Sequence, residues 1–254
     1  MSSNTIEIIP LSITKDVEAN DKIDSLILQS LKNSDRSLFD RDIIIIAQKI
    51  ISKAEDRIIK LGSVTPSKQS LKIARRQRKD ARIIELIMRE SISVVKMSRG
   101  VIITETNHGF ICANSGIDQS NILAGHENAL LLPEAPDRSA QRIRNGIMSK
   151  TKKQIAVIIT DTFGRPFREG QTNVAIGIAG IKPIKSYIGK NDIYGKKLRA
   201  TEIAIADEIA SAAELVMGKL ERVPVAIMRG YKYRTSKRCS SYELIRSKRK
   251  DLFR

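Results

Sequence analysis

Tryptophan is absent and aromatic residues make up only 4% of the chain, so any core must be packed from Ile, Leu, Val and Ala rather than from rings. Only two cysteines occur, Cys112 and Cys239, far apart and without metal-binding spacing, which excludes a disulfide framework. Cys112 is expected in the core and Cys239 as an exposed thiol. The two histidines, His108 and His126, are too few for a histidine zinc site. With no serine or cysteine nucleophile motif nearby, they also argue against a hydrolytic triad. No apolar run reaches the roughly 18 to 20 residues of a membrane-spanning helix. The N-terminal MSSNTIEIIPLSITKDVEAND meets acidic and polar residues before a signal peptide could form. A soluble, unexported, cytoplasmic protein is expected. Repeats, low-complexity tracts and linkers are missing as well, so the 254 residues form one large domain or two intimately joined ones.

What the chain does have is charge, +17 in formal balance. The basic residues run along the whole length, with clusters at 72–79, 150–153 and 231–254, and no nucleic-acid-binding module surrounds them. Solvated basic faces, or a field that draws in small polyanionic substrates, account for this better than a nucleic-acid partner does.

Short apolar runs alternate with amphipathic segments. Asp42 to Ile46 (DIIII) is too short for a helix and β-branched, and is expected as a buried strand. Asp80 can cap a helix with Ile83, Ile87, Ser91 and Val94 on one face, continuing to about Val95. Val101 to Glu105 and Gly109 to Ala113 suggest a hairpin through Thr106, Asn107 and His108. Ile155 to Thr160 is expected as a strand ending where Asp161 begins a polar turn, and Val174 to Ile178 and Val225 to Met228 as further strands. Thr201 to Met217 has the clearest helical period, with Glu202 in its first turn. Without a regular βαβ rhythm the order favours α+β, with mixed sheets and packed helices.

Three polar clusters each follow an apolar strand. Asn114 to Asn121 (NSGIDQSN) is either a site-forming loop or a set of Asx-type turns. Thr160 to Pro166 offers Asp161 flanked by hydroxyls, able to hold Mg²⁺ or Mn²⁺ through hard oxygens or simply to cap the next segment. Gln48 to Lys53 (QKIISK) carries lysines suited to a polyphosphate, although no glycine-rich phosphate loop is present and a solvated lysine is the default. Arg165 and Arg168, in GRPFREGQTN, are either anion forks or surface arginines in a loop, and Lys190 to Gly195 has the look of a tight connection.

In these clusters, and in their order along nearly the whole chain, the sequence resembles the coenzyme F420-0:L-glutamate ligase family. The resemblance runs through Ile9-Pro10-Leu11, Gln48 to Glu55, His108-Gly109-Phe110, Asn114 to Asn121, Leu130 to Pro133, Ile159 to Arg165 and Asn173 to Gly180. It continues through Ile193-Tyr194-Gly195, Ala206-Asp207-Glu208, Leu215 to Gly218, Arg229-Gly230 and Ile245 to Ser247. It implies a single ligase domain over residues 1–254, lacking the reductase domain fused to some relatives, with an intertwined two-part architecture and a homodimer.

The implied reaction uses GTP, two divalent cations (Mg²⁺ or Mn²⁺) and K⁺ to join L-glutamate to the lactyl carboxylate of F420-0 through an acyl phosphate. A further γ-linked glutamate follows. By the same resemblance Ile9, Pro10, Leu11, Ser12, Gln48, Lys49, Lys53 and Asn121 contact the nucleotide, Asp118 and Asp161 hold the first metal, and Thr162 the second. A later nucleotide segment falls loosely at Met217 to Pro224, where Lys219 stands at a second-metal ligand position. A protonated amine has no lone pair for Mg²⁺ or Mn²⁺, so Lys219 is expected to supply charge beside the phosphates instead. A basic nucleic-acid-binding protein, or a paralogous amino-acid ligase acting on another deazaflavin, are the competing expectations.

Overall fold

A computed structural model describes residues 5–98, 100–120 and 126–252. In chain order its first elements are β1 (Glu7–Leu11), α1 (Ile23–Asn33), β2 (Ile43–Ala47), α2 (Gln48–Ala54), β3 (Ile58–Lys60), α3 (Lys68–Gln77) and α4 (Ala81–Arg89). They are followed by β4 (Ser91–Ser98), β5 (Val101–Thr106), β6 (Ile111–Ala113), β7 (Asn128–Leu130), α5 (Pro136–Thr151), β8 (Ala156–Arg165) and β9 (Arg168–Ile181). The last are β10 (Lys185–Ser186), β11 (Glu202–Ile203), α6 (Ile205–Met217), β12 (Val225–Arg229) and β13 (Thr235–Ser236). The fold is α+β.

The main sheet has the order β1-β12-β2-β8-β9-β13, and β2 and β8 are its parallel pair. Side chains alternate faces along a strand, and the isoleucine run of β2 serves both. Ile44 and Ile46 point with Val157 and Ile159 into a core covered by α1 and α5, whereas Ile43 and Ile45 point with Ala156 and Ile158 toward α6. Covered on both faces, β2 needs no polar alternation, which is why it is a continuous apolar run. A third core, built from Leu61, Ile84, Ile87, Ile102 and Leu131, joins α3 and α4 to the separate sheet β4-β5-β6. Among the described residues no helix is long and apolar enough to cross a membrane.

Several boundaries differ from expectation. The helix capped by Asp80, whose side chain accepts the Arg82 N–H, ends at Arg89 rather than near Val95. Ser91 to Ser98 instead pairs antiparallel with β5, because a stretch rich in β-branched residues gains more from a partner strand than from another helical turn. β8 does not end at Thr160: it carries Asp161 and Thr162 on to Arg165, and the polar segment 168–173 is the opposing strand rather than a loop. The last long helix begins at Ile205, leaving Glu202 in β11 and putting Asp207 and Glu208 in the first turn. Cys112 is buried as expected, but Cys239 is half-buried against the α6-side core rather than exposed.

Candidate active site

Because β2 and β8 run parallel, both chains leave the sheet core at the same end, where Ala47 lies opposite Thr160. This is the kind of strand end at which a crevice opens in α/β layers. A cavity of about 1120 Å³ lies there. Its walls come mainly from residues 13–19, the first turn of α2 with Lys53, residues 112–114, 116–118 and Ser120, residues 160–164, Glu214, and residues 217–220 and 222–224.

Asp118 reaches the cavity from the third-core unit. After β6 the backbone turns through Asn114, Ser115 and Gly116, all with positive φ, at 51°, 55° and 71°. Ser115 is held there by its hydroxyl on the Ile87 carbonyl (3.0 Å) and by its N–H on Thr104 Oγ1 (3.1 Å). Gly116 is required twice over, since a Cβ would also lie 2.9 Å from the Leu132 side chain. Asp118 then exchanges both backbone hydrogen bonds with buried Leu130, at 3.0 and 2.8 Å, so its carboxylate projects from a pinned backbone. That carboxylate meets the Lys49 ammonium at 2.7 Å and accepts the Ser120 N–H at 2.7 Å. Burial disfavours its charge, but the Lys49 and Ser120 interactions outweigh burial and hold its pKa below the usual value.

Asp161 comes from the other side, on β8 just past a register shift between Ile159 and Thr160, where a bulge redirects the strand as it leaves the core. Beside the bulge, the Ala175 N–H donates to Asp207 of α6 at 2.9 Å. Burial pushes the Asp161 carboxyl up to about 6; the Thr162 N–H and the Lys219 and Lys49 charges oppose the rise, and the Asp118 charge adds to it. Thr162 donates to Asn173 Oδ1 (2.7 Å) and accepts from Lys219 Nζ (2.6 Å). Lys219 also meets Glu214 at 2.8 Å, and Glu214 accepts from Asn173 at 2.9 Å.

Compared with known proteins, residues 13–230 match the family model for F420-0:Gamma-glutamyl ligase. The chain belongs to this family. It is 47% identical over 216 residues to the coenzyme F420:L-glutamate ligase of Methanothermobacter thermautotrophicus, covering 85% of each protein. The identity to the protein of that name from Methanocaldococcus jannaschii is 44%, again with 85% of each covered. With the Methanopyrus kandleri protein of the same name it is 40%, over 98% of both chains. Membership makes the chain a ligase enzyme and bears out the resemblance read from its motifs.

Of the residues that the family resemblance singles out, Gln48, Lys49, Lys53, Asp118, Asp161, Thr162 and Lys219 all line the one cavity. Ile9, Pro10, Leu11 and Ser12 do not. They lie in or just after β1, with Ile9 and Leu11 buried in the core, and the cavity wall begins one residue later, at Ile13. Asn121 lies outside the described residues. The Gln48 amide is turned inward, donating to Ser52 Oγ (2.9 Å) and the Leu131 carbonyl (3.4 Å). Sequence reasoning missed Asn173 and Glu214. Glu214 sits between Ala213 and Met217 in a helix that read as core, and no spacing signal could have found it.

Asp118 and Asp161 fit a divalent cation: two hard carboxylates face one cavity, and burial together with mutual repulsion penalises the charge on Asp161, a penalty that a cation relieves. Among the described residues no group of three His, Cys, Asp or Glu is placed to hold a metal, so phosphate, water or a neutral oxygen must complete the shell. The Thr162 hydroxyl fits a second cation less well, since an ammonium already lies on it.

Proposed function

We propose that this chain uses GTP to ligate L-glutamate to the lactyl carboxylate of F420-0, and then a further glutamate through the γ-carboxylate. The observation that carries this reading is the convergence of Asp118 and Asp161 with Lys49, Lys53 and Lys219 in a single cavity, from parts of the chain far apart in sequence. At about 1120 Å³ the cavity exceeds the roughly 300 to 1,000 Å³ of ordinary small-molecule sites, as expected where a nucleotide and an acceptor must meet.

In the first half-reaction a lactyl carboxylate oxygen attacks the γ-phosphorus, the bond to the bridging β-phosphate oxygen breaks, and GDP leaves. The glutamate amine then attacks the acyl carbon, the carbon–oxygen bond to phosphate breaks, and inorganic phosphate and a proton leave. The acyl phosphate turns a poor leaving oxygen into a good one. A divalent cation held by Asp118 and Asp161 would neutralise charge on the transferring phosphoryl group.

The chain's own residues do the positioning. Lys53, half-buried in the wall, presents a point charge to the phosphates. Lys49, clamped between Asp118 and Ser120, holds the carboxylate in place and limits repulsion between the two aspartates. A requirement for K⁺ and a homodimeric assembly belong to the same reading.

The test is to incubate the purified protein with F420-0, GTP, Mn²⁺ and L-glutamate, with and without K⁺, and to weigh the products by mass spectrometry. GTP-dependent mass increments of one and then two glutamyl groups are expected. Their absence, or their persistence without nucleotide, would overturn the proposal.

A further inference from the structure

One corner of the cavity is rich in oxygen donors: the carboxylates of Asp118, Asp161 and Glu214 and the hydroxyl of Thr162. Asp118 and Asp161 offer one hard cation two carboxylates, and Glu214 and Thr162 offer a second positive charge a further pair of oxygens. One place is already filled. Gly218 ends α6 with φ of 59° and turns the chain so that Lys219 lies back over the helix end. From there its ammonium donates to Glu214 Oε1 (2.8 Å) and Thr162 Oγ1 (2.6 Å). Thr162 in turn donates a hydrogen bond to Asn173, and Asn173 donates to Glu214, so Lys219, Thr162, Asn173 and Glu214 close a ring that contains one positive charge.

The Lys219 side chain is 57% exposed, and an ion pair that open to water contributes little to folding, so stability does not account for the arrangement. Charge balance points the same way. Lys49 pairs with Asp118 and Lys219 with Glu214, so of the three carboxylates one negative charge, at Asp161, is left to attract a divalent ion. A second divalent ion on Thr162 would have to displace the ammonium from both of its oxygens.

We propose that Lys219 is a tethered cation occupying the second cation position, so that the site takes a single divalent ion and the lysine itself meets the nucleotide phosphates. This rests on the nucleotide-dependent ligation proposed above and goes beyond it in assigning the cation count to one side chain.

The test counts Mn²⁺ bound per chain by electron paramagnetic resonance, with a non-hydrolysable GTP analogue present, in the wild type, Lys219→Arg and Lys219→Gln. One ion is expected for the wild type and for Lys219→Arg. Lys219→Gln should bind two, since its neutral oxygen joins the freed Thr162 and Glu214. At limiting Mn²⁺, loss of the charge-assisted contact should weaken analogue binding by Lys219→Gln roughly tenfold, and excess Mn²⁺ should restore it. Any other set of counts overturns the proposal. A chain that gives these counts but adds no glutamate keeps the tethered cation and removes the ligation reading. A ligating wild type holding two ions does the reverse.

Discussion

Arg229 is a place where one substitution should cost the fold several kcal/mol, about 3 to 5. Its guanidinium grips the Asp42 carboxylate with Nε at 3.0 Å and Nη2 at 2.8 Å, and Asp42 is only 1% exposed. It also donates to the Ser37 carbonyl at 2.9 Å and stacks over the Phe39 ring at 4.0 Å. Among the described residues, Arg229→Ala leaves that buried carboxylate with the Phe39 N–H, at 2.8 Å, as its remaining side-chain hydrogen bond. Stripping one partner from a buried pair costs about 3 to 5 kcal/mol, against at most about 1 kcal/mol for an exposed one. For a chain of this size each kcal/mol moves Tm by roughly 2 to 4 °C, so a fall of roughly 6 to 20 °C is expected.

Urea and thermal denaturation followed by circular dichroism measure both quantities. The double variant Asp42→Asn/Arg229→Leu, which removes both charges, should lose less than Arg229→Ala alone. Asp42 precedes the end of β2 opposite the cavity, so KM for nucleotide in the folded variant should not change. A loss under about 1 kcal/mol would refute the reasoning, because it would mean that water already solvates Asp42.

Asp118→Asn and Asp161→Asn should each remove most turnover while leaving the denaturation midpoint close to wild type; wild-type rates at saturating Mn²⁺ would exclude both as cation ligands. Burial pushes the Cys112 thiol from 9.0 up to about 12, so its thiolate fraction near neutral pH falls about 10³-fold. Iodoacetamide labelling followed by mass spectrometry should therefore be slower at Cys112 by about that factor than in the urea-unfolded chain, and equal rates would contradict its burial. Glu85 is held down from 4.5 to about 2, chiefly by the Ser67 N–H at 2.9 Å. Because the folded value lies below the unfolded one, its stabilisation is complete above about pH 4.5 and fades toward pH 2. Glu85→Gln should cost about 2 kcal/mol at pH 7 and converge with wild type in acid, and a deficit independent of pH would refute the assignment.

The parts of the fold legible in the sequence are those in which one physical signal dominates. DIIII, too short and too β-branched for a helix, reads as a buried strand and lies in or beside β2, whose isoleucines are buried on both faces, and the expected hairpin is β5 with β6. Where two signals competed, tertiary pairing decided. Ser91 and Val94 extend the helical period of Ile83 and Ile87, yet they lie in β4, because β5 offers a strand partner that local spacing cannot reveal. Asp161 and Thr162 look like turn residues by type, but a ladder is made by backbone groups, and β9 supplies a polar strand opposite them. The candidate site was legible as strand-end polar clusters, since such clusters recur after β2, β6 and within β8. Its closing contacts were not, because Lys219 meets Thr162 across 57 residues of chain and Glu214 hides in an apolar helix.

The chain's charge belongs to a different part of the molecule from its chemistry. The described cavity lining carries five basic side chains, Lys15, Lys49, Lys53, Lys219 and Arg222, against six acidic ones, Asp16, Glu18, Asp56, Asp118, Asp161 and Glu214. None of the +17 excess therefore resides in the cavity. The surrounding basic surface can raise the local concentration of a polyanion and speed its arrival, an effect that salt screens over about 10 Å. It would not by itself hold a triphosphate against the aspartates that line the cavity. In the proposed reaction that task would fall to groups inside, and Lys49 is already clamped between Asp118 and Ser120. A locally acidic corner in a strongly basic protein is the electrostatic arrangement in which a divalent cation has the most to contribute. Held by Asp118 and Asp161, such a cation would relieve their mutual repulsion and, in the proposed reaction, would turn positive the surface offered to the phosphates.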